Sequence, residues 1–137
     1  MPFFSIVIPL YNKANFILAT LKSVSDQTFE NYEIIIINDG STDASLSKVE
    51  ALKLPKLSIH TQENKGLSAA RNRGVALAKG QYIALLDADD IWKPSYLKSR
   101  FNISENYPTH QILECSYKEW SNGRLCDMST RCEAQAN

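Results

Sequence analysis

Four consecutive isoleucines, Ile34-Ile35-Ile36-Ile37, running into Asn38-Asp39-Gly40-Ser41, constrain this chain more than any other stretch. A strand with one wet face alternates apolar and polar residues, whereas a strand that is apolar at every position must be covered on both faces. A parallel sheet sandwiched between helices provides that cover, so the run predicts an inner strand of an α/β domain. Further β-branched runs at residues 4–10, 57–61 and 82–86 predict three more strands, with the isoleucine strand spanning 33–38. Between them lie helix-like segments. Residues 14–25 carry Phe16, Ile17, Leu21 and Val24 at helical spacing, and residues 44–54 carry Leu46, Val49 and Leu52. Asp39-Gly40-Ser41-Thr42-Asp43 offers N-caps for the second helix, and Pro55 follows it. A third helix is expected over 67–78, closed by Lys79-Gly80, and a fourth from Lys93-Pro94 to about residue 106.

The 137 residues suffice for one core and not for two ordinary domains. Fifteen basic side chains balance fifteen acidic ones, which argues against a surface built to collect nucleic acid. The amino terminus lacks a basic n-region and Pro9 interrupts its apolar stretch, so neither a signal peptide nor a transmembrane segment is read there and a cytoplasmic location is expected. Cys115, Cys126 and Cys132 lack Cys-x-x-Cys spacing and suit reduced thiols. His60 and His110 have no spaced partner and read as structural or surface residues. After Pro108 the pattern weakens: 112–117 suits a strand, Ser121-Asn122-Gly123 a turn into Leu125, and 127–137 reads as a ragged tail.

Open α/β sheets bind ligands beyond the carboxyl ends of their strands. The unusual residues fall there: Pro9-Leu10-Tyr11-Asn12 after the first strand, Asn38-Asp39-Gly40-Ser41 after the second, and Asp87-Ala88-Asp89-Asp90 after the fourth. Three carboxylates within four positions repel one another unless a cation or hydrogen-bond donors compensate, so the last motif is either a Mg²⁺ or Mn²⁺ site or a solvated acidic turn. Leu67, Arg71 and Val75 stand in one i, i+4 column of an apolar helix face, and the guanidinium there either meets an anionic or aromatic partner or reaches water at the core edge. Asn64-Lys65-Gly66, just ahead, is a plain turn or a place where glycine lets the backbone approach a ligand. Asp39 is a turn aspartate bonding the following amides or an acceptor for a base or ribose. Tyr11 is a core-edge aromatic or a stacking platform. A nicotinamide dehydrogenase would need Gly-x-Gly-x-x-Gly after the first strand, where Pro9-Leu10-Tyr11-Asn12 stands instead.

Five segments in order, residues 5–12, 23–28 with a Ser-Val-x-x-Gln-Thr pattern, 36–43, 64–72 and 80–90, resemble family 2 glycosyltransferases, whose domain is of the GT-A type. The resemblance implies a Rossmann-like sandwich with a mainly parallel sheet flanked by helices. It implies a nucleotide-sugar-binding part over 1–107, and a partial continuation with a ragged tail over 108–137 that leaves the C-terminal part incomplete. It makes Pro9, Tyr11, Asn12, Asp39, Asn64, Arg71, Asp87 and Ala88 residues for the donor nucleotide, and Asp89 the ligand of Mn²⁺ or Mg²⁺. The implied reaction is metal-dependent, inverting transfer of a sugar from a nucleoside diphosphate sugar, a UDP-sugar first, to the hydroxyl of a saccharide or lipid-linked acceptor, with room for peripheral association with a membrane. Two departures stand out. Lys13 occupies a position where many family members are acidic. Glu114, Glu119, Asp127 and Glu133 match no motif for the carboxylate base, so no catalytic residue is carried over, and a non-catalytic nucleotide-binding fragment is the alternative.

Overall fold

A computed structural model describes residues 1–109, 117–121 and 124–128. The chain divides into two compact units, Met1–Tyr96 and Leu97–Asn137. The first holds a four-stranded sheet of β1 (Phe4–Leu10), β2 (Tyr32–Asn38), β3 (Leu57–Thr61) and β4 (Tyr82–Leu85) in the order β3-β2-β1-β4, with every neighbouring pair parallel. Helices α1 (Ile17–Ser25), α2 (Ser45–Leu52) and α3 (Leu67–Leu77) connect the strands. All seven residues of β1 and all four isoleucines of β2 are buried, as the unbroken apolar run requires.

Strand order follows from how the chain moves. It steps outward from β1 to β2 to β3, then jumps back across the sheet to put β4 on the other side of β1. Right-handed crossovers therefore place α1 and α2 on one face and α3 on the other. Small residues let α3 lie close. Its buried positions are Ala70 and Gly74, Ala70 packs with Ile35 and Ile37, and a Cβ on Gly74 would overlap Val7 Cγ1. This corrects the sequence reading of the Leu67–Arg71–Val75 column: Leu67 and Val75 are exposed, because it is the neighbouring Ala70–Gly74 stripe that meets the sheet.

The first and fourth helices start later than the periodicity alone predicts, whereas α3 starts at Leu67 as expected. Before α1, Ser45 Oγ (2.8 Å) and Asp43 Oδ2 (3.0 Å) accept from the N–H groups of Lys13 and Ala14, which have no partner inside a helix in any case, and α1 begins at Ile17. Before the fourth helix, the carbonyls of Lys93 and Pro94 accept bonds from Gln27 Nε2 (2.7 Å) and Thr28 N (2.9 Å). The helix α2 has Ala44 at its N-cap position without a side-chain cap, while Asp43 Oδ1 accepts from Ser45 N, and the helix stops where Lys53 adopts φ 45°.

The fourth helix, α4 (Tyr96–Asn106), has all but its first residue in the second unit. Two further strands, β5 (Tyr117–Ser121) and β6 (Arg124–Met128), pair antiparallel with Ser121 opposite Arg124. Strand structure thus extends to Met128, past the point where the tail reads as ragged; residues 112–116, His110, Cys115 and Cys132 lie outside the described residues. Among the described residues no helix is long and apolar enough to cross a membrane.

Candidate donor site at the carboxyl edge of the sheet

Strand order reverses between β1 and β4, and Pro9 stands on β1 just past the point where the two strands stop pairing. Val7 carbonyl accepts the last bond from the β4 side, from Leu86 N at 3.1 Å. Two residues on, in the same phase of the ladder, proline has no N–H, and β1–β4 pairing has already ended at Val7–Leu85. On its other side β1 stays paired with β2 as far as Leu10–Asn38.

Tyr11 emerges from this edge half-exposed. Asn12 takes φ 50° and locks the turn: its Oδ1 accepts from Thr42 N (2.8 Å) and Asp43 N (3.2 Å), and its N–H donates to Ser41 Oγ (3.2 Å). The β1–α1 and β2–α2 turns are therefore one stitched unit.

Asp39 is 3% exposed and spans a second pair of turns. Its Oδ1 accepts from Gln62 Nε2 (2.7 Å) and Lys65 N (2.9 Å), and its Oδ2 accepts from Gly66 N (2.8 Å). Burial pushes this carboxyl up, but the bonds from Lys65, Gln62 and Gly66 outweigh it and hold it below the usual aspartate range. The amides it bonds are those of the β3–α3 turn, 26 and 27 positions away, rather than the ones that follow it. Gly40, at φ 73°, makes the approach of these turns feasible, since a Cβ there would stand 3.1 Å from Asn64 N.

The acidic loop lies between two cations. Arg71 Nη2 donates to Asp87 Oδ1 at 2.6 Å, and Lys13 Nζ to Asp89 Oδ2 at 2.6 Å. Arg71 thus has the anionic partner that its place on α3 demands, and among the described residues its buried Nε–H finds no acceptor. The Asp90 carboxyl is pushed up by burial first, then by repulsion from Asp87 and Asp89, against the pull of Lys13. Ala88 is buried, and its carbonyl accepts from Thr20 Oγ1 at 2.9 Å.

That last bond belongs to a set which residue-level reading missed. Thr20, Ser23 and Gln27 are buried polar groups on α1 and its C-terminal end. Thr20 holds Ala88, Ser23 Oγ accepts from Trp92 N (3.2 Å), and Gln27 Nε2 donates to the Lys93 carbonyl. Together they pin the segment carrying the carboxylates. The signal was available: polar residues interleaved among Ile17, Leu21 and Val24 on a helix expected to face the core need partners.

The structure brings Lys13, Arg71, Asp87 and Asp89 together, and links Asn12 and Asp39 to the loops that frame them. Asn64 is exposed in the turn that Asp39 holds. Among the described residues no three acidic, histidine or cysteine side chains converge on one point. A cavity of about 630 Å³ opens near Tyr32, Leu57 and Lys79, at the amino ends of the strands and away from these groups; chemistry rather than volume selects the carboxyl edge.

Comparison with known proteins places these features in context. The sequence model for glycosyl transferase family 2 matches residues 5–125. The uncharacterized glycosyltransferase YibD of Escherichia coli (strain K12) is 47% identical over 88 residues, 63% of this chain and 26% of that protein. Among solved structures, S. aureus TarS in complex with UDP-GlcNAc superposes with a TM-score of 0.75 at 27% identity, covering 80% of this chain and 33% of that one. The mannosyltransferase PcManGT of Pyrobaculum calidifontis, in complex with GDP-Man and Mn²⁺, gives 0.72 at 26% identity, covering 79% and 33%. The sheet and its flanking helices are thus the GT-A arrangement that the sequence resemblance implied. The chain spans between 15% and 37% of the length of the curated relatives it matches.

Proposed function

Since this chain belongs to glycosyl transferase family 2, we propose that the carboxyl edge of its sheet binds the nucleotide and diphosphate of a nucleoside diphosphate sugar, as the donor side of a metal-dependent, inverting glycosyltransferase. The observation that carries the reading is the convergence of Arg71, Asp87, Asp89 and the half-exposed Tyr11 at the point where strand order reverses. Residues 1–107 form the nucleotide-sugar part and 108–137 its continuation. The acceptor is a saccharide or lipid-linked hydroxyl, and the location cytoplasmic.

Tyr11 offers its ring to the base, and Pro9 and Asn12 fix where it stands. Asp39 presents the 64–66 turn to base and ribose, with Asn64 at its surface. Asp87 and the Ala88 backbone take the ribose side. Arg71 holds Asp87 in place, and the exposed part of its guanidinium brings positive charge to the phosphate side. The donor set suits Mn²⁺ or Mg²⁺: among the described residues only Oδ2 of Asp89 is engaged, leaving Oδ1 as a hard oxygen ligand, and such ions take few protein carboxylates when a diphosphate and water complete the shell. Bound there, the ion would neutralise charge growing on the diphosphate leaving group. UDP is the preferred nucleotide; the TarS complex with UDP-GlcNAc supports it, and the PcManGT complex with GDP-Man and Mn²⁺ makes GDP the competitor to test.

The test is thermal stabilisation of the purified chain by UDP, GDP and dTDP, each with and without Mn²⁺. A ligand at a hundred times its Kd adds about 2.7 kcal/mol to native stability. Stabilisation by UDP that requires Mn²⁺, and that Asp89→Ala abolishes without lowering the Tm of the ligand-free chain, is expected. Mn²⁺-independent or absent shifts with all three nucleotides would defeat the reading. Transfer activity, assayed separately, distinguishes a full enzyme from a fragment that only binds.

A further inference from the structure

We propose that Lys13 is a built-in counter-ion that competes with the divalent cation for Asp89, so that the ion is held firmly only when the donor diphosphate arrives to receive the displaced ammonium. The inference rests on the reading of Asp89 as the metal ligand.

Charge and geometry carry it. Asp87, Asp89 and Asp90 bring three negative charges onto one loop, and Arg71 and Lys13 bring two positive ones, each at 2.6 Å from its own carboxylate. One negative charge remains. A divalent ion entering alone would convert that to a net positive charge with an ammonium beside it, and two cations cannot share one small carboxylate cheaply. The diphosphate brings the negative charge that makes both welcome. Lys13 is placed for this role by the fold: its N–H is held by Ser45 Oγ, its carbonyl accepts from Phe16 N and Ile17 N, and its neighbours Asn12 and Ala14 are bonded to the 42–43 turn. The backbone is fixed while the four-carbon stem has rotatable bonds, the side chain is 38% exposed, and the ammonium lies 5.9 Å from the centre of the Phe16 ring, so release from Asp89 costs little burial. Lys13 is thus a positioning residue for the ion rather than a catalytic one.

The test is calorimetric titration of the whole chain with Mn²⁺ alone, UDP alone, and UDP in saturating Mn²⁺, for the native protein and for Lys13→Met, Lys13→Arg and Asp89→Ala. Removing the ammonium should tighten Mn²⁺ alone by about two- to tenfold, weaken metal-free UDP by a similar factor, and shrink the synergy between the two. Lys13→Arg should behave as the native chain. Opposite signs for the two ligands separate this role from a structural one, which would weaken both. Mn²⁺ binding that is lost in Asp89→Ala but equal in the native chain and Lys13→Met overturns the inference and leaves the metal assignment standing. So does Lys13→Arg matching Lys13→Met, since charge would then not be the cause. Absence of Mn²⁺ binding in every variant, with or without UDP, overturns the metal assignment and the inference together.

Discussion

Replacing Asp39 by alanine should loosen the β3–α3 turn and cost the sheet unit a definable amount of stability. The side chain accepts three hydrogen bonds, at 2.7, 2.9 and 2.8 Å, on a carboxylate that is 3% exposed. Hydrogen bonds to an ionised acceptor contribute about 1.5–3 kcal/mol each. Here two of the donors, the N–H groups of Lys65 and Gly66, belong to exposed residues and would recover water once released. The expected loss is therefore about 2–3 kcal/mol in all rather than the sum, or a Tm lower by roughly 8–20 °C for a domain of this size. The pH dependence supplies a second check. The folded-state pKa lies below the usual value, so the contribution is complete above the unfolded pKa of about 3.9 and disappears as pH falls through the folded value. Thermal unfolding followed by circular dichroism should show the full gap between native chain and variant at pH 7, and a shrinking gap below pH 4. Hydrogen exchange at Lys65 and Gly66 should quicken in the variant. An unchanged Tm at pH 7, or a gap equally large at pH 3, would refute the assignment of these bonds as the stabilising cause.

Two more expectations follow from the packing and the site. Gly74→Ala places a methyl group against Val7 Cγ1 and 3.3 Å from Val7 Cβ, so overpacking of about 1–3 kcal/mol should outweigh the helix-propensity gain of up to about 1 kcal/mol; Tm falls, Val7→Ala partly restores it in the double mutant, and a rise in Tm for the single mutant would contradict the close packing of α3. Arg71→Ala breaks an ion pair whose partners are both more than a third exposed, so stability should fall by no more than about 1 kcal/mol, while UDP affinity in Mn²⁺ drops about 10- to 100-fold; a large Tm loss with unaltered affinity would assign Arg71 to structure alone.

The sequence alone carried the layer architecture, because burial on both faces of a strand leaves a local trace that no loop or one-sided strand shares: Ile34 to Ile37 are apolar at every position, and all four are buried. It also carried the position of the polar loops, since stretches rich in Asp, Asn and Gly after apolar runs stand at strand ends. Five ordered motifs pointed to the family by the same local means. The first and fourth helices start a few residues later than periodicity places them, at Ile17 and Tyr96. What only the tertiary structure decided is who pairs with whom. Lys13 and Asp89 are 76 positions apart, and Thr20 and Ala88 are 68 apart. Their meeting depends on β4 lying beside β1, with the chain reversing direction after β3. Periodicity reports which face of an element is buried but says nothing of which element covers it. The counter-ion of Asp89, the loop that Asp39 anchors, and the α1 hydroxyls and amide that pin the acidic segment therefore became legible only once strand order was fixed.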